Sequence, residues 1–87
     1  MWYTYVLESE KDKKHYTGVT SDLKRRLEEH NAKQGGEYSS KNGPFKLIFY
    51  EAYLDKKDAV KAELFYKSGY GREVLKGKIF YYLEDNK

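Results

Sequence analysis

A change of period at Ser21 constrains the fold more than any other feature of the chain. Before it, Trp2–Glu8 alternates and is rich in aromatic and β-branched residues. Lys14–Thr20 does the same after the polar stretch Ser9–Lys13, so the two runs read as the arms of a hairpin. From Ser21 onward Leu23, Leu27 and His30 recur at helical spacing, with Thr20 or Ser21 available as N-cap, Asp22 favourable in the first turn and Asn31 as the end. Ala32–Pro44 has no period; with three glycines and the only proline it reads as a loop long enough to be functional. Phe45–Leu54 alternates again, Phe45, Leu47 and Phe49 against Lys46, Ile48 and Tyr50, which predicts a third strand with its aromatic side toward helices. Asp55 then caps a helix over about 56–68, with Ala59, Ala62, Glu63 and Tyr66 on one side and Gly69 as a left-handed stop. A last helix runs from about Arg72 to Glu84. The expected fold is a small α/β (α+β) domain spanning residues 1–87: a three-stranded, mainly antiparallel sheet flanked by helices, in the order β-β-α-β-α-α.

Composition narrows the chemistry. Eighty-seven residues bury a modest core, and the absence of cysteine excludes disulfides and thiolate zinc sites. His15 and His30 are the only imidazoles. Seventeen basic and 14 acidic side chains leave a net charge of +3, a lean toward anionic partners that solvated helix faces would also produce. No apolar run approaches the about 20 residues of a membrane span and the N-terminus lacks a signal-like segment, so the expected location is cytoplasmic, with no membrane partner.

Several polar residues stand at the inward edges of these elements. Tyr5 and Tyr16 share a face of the hairpin if the register places Tyr5 opposite Tyr16, either as a site pair or as a cross-strand pair that merely stabilises the hairpin. Gly18 lies at the strand exit, where a missing Cβ admits close approach of a ligand or eases the turn into the helix. Arg26 lies beside the apolar stripe, apart from Lys24 and Arg25; its guanidinium can grip a phosphate or pair with Glu63 or Glu29. His30 shares its face, as a packed side chain or a proton carrier. Glu63 sits among Ala59, Ala62, Leu64 and Phe65, where a carboxylate needs a cation, either Arg26 or a metal. Lys33, Lys41 and Lys46 flank the long loop and Lys67 and Arg72 follow in the C-terminal part, interleaved with aromatics as a nucleic-acid surface would require.

Taken together, Thr4-Tyr5-Val6, Tyr16-Thr17-Gly18, the segment Gly18–Asn31 with Arg26 and His30, and Ala59-Val60-Lys61-Ala62-Glu63 resemble the motifs of the GIY-YIG nuclease superfamily. The match runs from Trp2 to about Lys78 and is similar to the N-terminal nuclease domain of the repair excinuclease; Lys67–Arg72 looks like a segment of small stand-alone members. The resemblance implies a metal-dependent DNA endonuclease, a phosphodiester hydrolase acting in DNA repair or processing, with catalytic Tyr5, Tyr16, Arg26, His30 and Glu63. It implies Mg²⁺ or Mn²⁺ on Glu63, no small-molecule cofactor, and substrate contacts from Gly18, Lys33, Lys41, Lys46, Lys67 and Arg72. The expected partner is DNA, and the lack of room for a second DNA-binding domain leaves specificity to a protein partner. The departures are Thr4 for a glycine-like first position, Thr17 for isoleucine, and Val19 where repair-type excision nucleases carry lysine. A reading from another class stays open: a non-catalytic nucleic-acid-binding module or a partner-dependent nuclease subunit.

Overall fold

The computed structural model describes residues 1–32 and 43–86. Its elements are β1 (Trp2–Ser9), β2 (His15–Thr20), α1 (Leu23–Asn31), β3 (Phe45–Tyr53), α2 (Lys56–Lys67), α3 (Gly69–Lys78) and α4 (Phe80–Asp85). The sheet is wholly antiparallel with β1 in the centre, in the order β2-β1-β3. The α+β architecture expected from the periodicities is therefore present, with four helices among the described residues.

Local chemistry sets the boundaries. Asp22, expected inside the first turn, is instead the N-cap of α1: its carboxylate accepts from Arg25 N at 3.0 Å, one of the backbone donors that a helix start leaves without a partner. Asp55 does the same for α2 through Lys57 N at 2.8 Å. Gly69 does not stop that helix. Ser68 ends α2 in extended backbone and at the same time caps α3, its hydroxyl oxygen accepting from Gly71 N at 3.0 Å, so α3 begins before Arg72. Gly71 is required there because a Cβ would run into the carbonyl of Phe65. The expected single C-terminal helix is also broken, at Ile79 (φ −115°, ψ 29°), whose side chain stays in the core.

The two faces of the sheet carry separate cores. Tyr5 and Leu7 point to one face, where with Phe45 they meet Leu23 and Leu27 of α1. Val6 points to the other and packs with Tyr66, Leu75 and Ile79 of the remaining helices. A bulge lies where Val6 pairs with Phe49 but Leu7 pairs with Leu47, which leaves Ile48 as the extra residue. The simple alternation expected for β3 therefore fails: Phe45 and Leu47 face α1, whereas Ile48 and Phe49 pack on the opposite core. Thr4 joins the layers. Its fully buried hydroxyl donates to the carbonyl of Ala59 at 2.6 Å, fixing the first turn of α2 against the central strand.

Candidate functional site

β2 forms one edge of the sheet, with α1 on one face and α2 on the other, and a cleft of about 370 Å³ opens along that edge. Tyr5, Tyr16, Gly18, Arg26, His30 and Glu63 all line it, together with Thr17 and Val19. Four elements thus converge, β1, β2, α1 and α2, although the first and last of these residues, Tyr5 and Glu63, are 58 positions apart in sequence.

The hairpin register explains how the tyrosines meet. Tyr5 pairs with Gly18, not with Tyr16, which stands opposite Leu7. Cross-strand partners share a face, so Tyr5 and Tyr16 are diagonal neighbours on one side of the sheet. Glycine is demanded at the position opposite Tyr5: a Cβ on Gly18 would strike the phenol oxygen and lie 2.6 Å from Cζ. The Tyr5 ring therefore lies across the Gly18 backbone, with the residue as a whole only 4% exposed.

That placement puts the Tyr5 hydroxyl in a polar chain. Arg26 Nε donates to Tyr5 Oη at 3.1 Å, and the same oxygen lies 3.3 Å from His30 Nε2. Donating to Tyr5 raises the Arg26 guanidinium above its ordinary value in spite of partial burial, and Glu29, 3.5 Å from Nη1, adds a smaller push. Burial, followed by the charge of Arg26, lowers His30 below its ordinary value of 6.5. At neutral pH His30 is therefore uncharged; with its proton on Nδ1, Nε2 accepts from the Tyr5 hydroxyl. Edge-to-face contacts with Tyr5 and Phe45, at 6.2 and 5.7 Å between ring centres, hold the imidazole. Asn31 anchors the same helix end, its amide donating to Phe45 O at 3.0 Å and accepting from Phe45 N at 2.6 Å.

Glu63 approaches from the other face of the sheet. It does not pair with Arg26, whose only carboxylate partner among the described residues is Glu29. Lys67, one helical turn on, holds Oε2 of Glu63 at 3.2 Å and leaves Oε1 without a cation. The side chain is 21% exposed and lines the cleft. Oxygen chemistry of this kind suits a hard divalent cation of the magnesium type, which keeps several waters and takes phosphate oxygens from substrate. Among the described residues no group of three or more His, Cys, Asp or Glu side chains gathers, so nothing resembles a closed protein cage.

The basic residues divide. Lys67 and Arg72 line an adjoining groove rather than the cleft. Lys46 is elsewhere: opposite Glu8 on the α2–α4 face, its ammonium lies 3.9 Å from that carboxylate and 5.4 Å from the centre of the Tyr82 ring, a structural role that charge counting could not distinguish from substrate contact. Lys33 and Lys41 lie outside the described residues. Sequence reasoning missed Thr4, Asn31 and the Lys67 partner of Glu63. The last was legible as an i,i+4 pair on one helix face.

A family model described as the GIY-YIG catalytic domain matches residues 1–77. A UPF0213 protein of Streptococcus pyogenes is 46% identical over 65 residues, covering 75% of this chain and 70% of the relative. One of Streptococcus agalactiae is 45% identical over 65 residues, covering 75% and 73%. Among solved structures, the solution NMR structure of the UPF0213 protein BH0048 from Bacillus halodurans is similar at a TM-score of 0.51 and 36% identity, over 86% of this chain and 82% of that one. Both tyrosines, Gly18, Arg26, His30 and Glu63 lie within the matched span, and by that match the chain belongs to the GIY-YIG catalytic domain family, a family of nucleases.

Proposed function

We propose that this protein is a metal-dependent DNA endonuclease that hydrolyses phosphodiester bonds in the cleft at the β2 edge. The observation that carries the reading is the convergence of Tyr5, Arg26, His30 and Glu63 on one cleft, where a carboxylate oxygen is left without a cation and a tyrosine is bonded to arginine and neutral histidine.

In hydrolysis a water oxygen bonds to phosphorus and the bond to the departing sugar oxygen breaks. Tyr5 aligns that water through its hydroxyl. The water's proton passes to Tyr5 as the tyrosine proton moves to His30 Nε2, so no free hydroxide is needed. Arg26 and Tyr16 grip the phosphate, and the guanidinium offsets the charge that builds on its oxygens. Gly18 leaves room for the Tyr5 ring to lie across β2 and so holds the Tyr5 hydroxyl at Arg26 and His30. Glu63 would hold the divalent ion through its carboxylate; nucleases of this family generally use such ions. Such an ion would supply Lewis-acid polarisation of the phosphate and charge stabilisation for the leaving oxygen.

The test is a nicking assay on branched, nicked and duplex DNA with Mg²⁺ or Mn²⁺, run on wild type and Glu63→Gln. Wild type cuts in a metal-dependent manner and the variant binds DNA without cutting. A wild type that binds but cuts none of these with either ion would move the assignment to a binding module or a subunit that needs a partner.

A further inference from the structure

A second concavity, of about 700 Å³, lies between the β1–β2 turn with the start of β2 on one side and the end of α2 with the length of α3 on the other. Its volume falls within the about 300–1,000 Å³ usual for small-molecule and cofactor sites. It shares a wall with the cleft, since Tyr16 and Thr17 line both, and Lys67 lines the groove while bonding Glu63 of the cleft.

The groove is two-sided in chemistry. Its rim is cationic: Lys13 and Lys14 from the hairpin turn face Lys67 and Arg72 from the helices, and no carboxylate among the described residues lines it. Among the described residues neither Lys13 nor Arg72 has an ion-pair partner, although both are exposed. The turn is closed by Lys13 N donating to Ser9 O at 2.9 Å, with Lys13 at φ 64°, a conformation that non-glycine residues rarely adopt. Beneath the rim the floor is apolar, formed by Tyr66, Leu75 and Ile79 at 4%, 5% and 8% exposure. A rim that binds only phosphates has no use for an apolar floor, and a purely apolar ligand has no use for the cations. A nucleotide uses both, with phosphates at the rim and the flat base on the floor. A base paired within a duplex cannot enter such a concavity.

We propose that this groove receives an unpaired nucleotide of the same strand whose phosphodiester lies in the cleft, which would make the preferred substrate a nucleic acid with an unpaired residue next to the cutting point. The nuclease reading enters only in placing that strand.

Three labelled DNAs test it by fluorescence polarisation in EDTA, where no cutting occurs: a blunt duplex, the same duplex with one unpaired terminal nucleotide, and that duplex with the unpaired nucleotide abasic. The expected result is about tenfold tighter binding of the unpaired form than of the blunt one, with most of that gain lost in the abasic form. The double variant Lys13→Glu, Arg72→Glu, at two exposed positions, should abolish the difference. Equal affinity for all three DNAs in wild type, or an abasic form as tight as the intact one, overturns the proposal. So does a free deoxynucleoside monophosphate that binds as tightly as the unpaired duplex, because the groove would then act independently of the strand in the cleft. If the protein shows the preference but never cuts with Mg²⁺, the nuclease reading fails and this one stands. If it cuts without preference, only this one fails.

Discussion

Two strand acids and one helix acid have opposite surroundings. Glu8 is 5% exposed and accepts from Tyr82 Oη at 2.6 Å, with His15 Nε2 at 3.0 Å and Lys46 at 3.9 Å. Glu51 accepts from Tyr53 at 2.7 Å, Tyr66 at 2.9 Å and Lys78 at 3.4 Å. Burial and the bond to Glu51 push Tyr53 up to about 12 and raise Tyr66 further, so both phenols remain donors at any ordinary pH. Glu63 has one cation on one oxygen. An acid whose lone pairs are filled by tyrosine and lysine holds helices to the sheet, whereas an acid left half-filled beside Tyr5, Arg26 and His30 can take a new cation. Charge alone does not mark a site; unused hydrogen-bonding capacity does.

Substitutions should separate the two kinds of acid. Glu63→Gln should reduce cleavage by orders of magnitude while moving stability by no more than about 0.5 kcal/mol, because its ion pair with Lys67 is largely solvated. Glu8→Gln should do the reverse, costing about 2 kcal/mol in chemical denaturation, since it weakens hydrogen bonds made to a buried charge, and leaving cleavage per folded molecule intact. Comparable stability loss in both variants would erase the distinction. Gly18→Ala should cost about 2 kcal/mol through the clash with Tyr5 and should also slow cleavage, since the ring must leave its place beside Arg26 and His30. A crystal or NMR structure of that variant with Tyr5 unmoved would contradict it.

Titration offers a finer cut. Burial would raise Glu8, but its bonds to Tyr82 and His15 and the nearby charges win, and it lies below its ordinary 4.5. Its stabilisation is complete above 4.5 and is lost as pH falls through the lower folded value. His30, lowered by burial and then by Arg26, favours its neutral form in the fold; protonation therefore becomes costly below 6.5, and the stability lost accumulates as pH falls from there toward the depressed value. Cleavage should therefore decline on acidification as His30 gains its proton at its lowered value, below 6.5, and His30→Gln should remove that limb of the profile. Thr4→Val should cost about 1 kcal/mol in thermal or denaturant unfolding from loss of the bond to Ala59.

The elements were legible because their periods differ, and the site was legible because tyrosine, arginine and glutamate at those positions match family motifs within residues 1–77. The faces of β3 were not, because the bulge at Ile48 inverts the side-chain pattern and arises from pairing with β1 rather than from the local sequence. Ser68 is ambiguous for a similar reason: a serine between two helices reads as an end or a start, and here it is both. Thr4 looks in sequence like a departure from a glycine-like position. Its partner is 55 residues away, beyond the reach of any local spacing argument.

Glu63, unlike Glu8 and Glu51, has a carboxylate oxygen open to a divalent cation. Titrating ¹⁵N-labelled protein with substoichiometric Mn²⁺ and recording amide line broadening tests it directly, because paramagnetic relaxation maps even weak occupancy. Broadening should centre on Glu63 and spread to Gly18 and His30 across the cleft, sparing Glu8 and Glu51, and it should vanish in Glu63→Gln. Broadening centred on Glu8 or Glu51, or unchanged in that variant, would contradict the account.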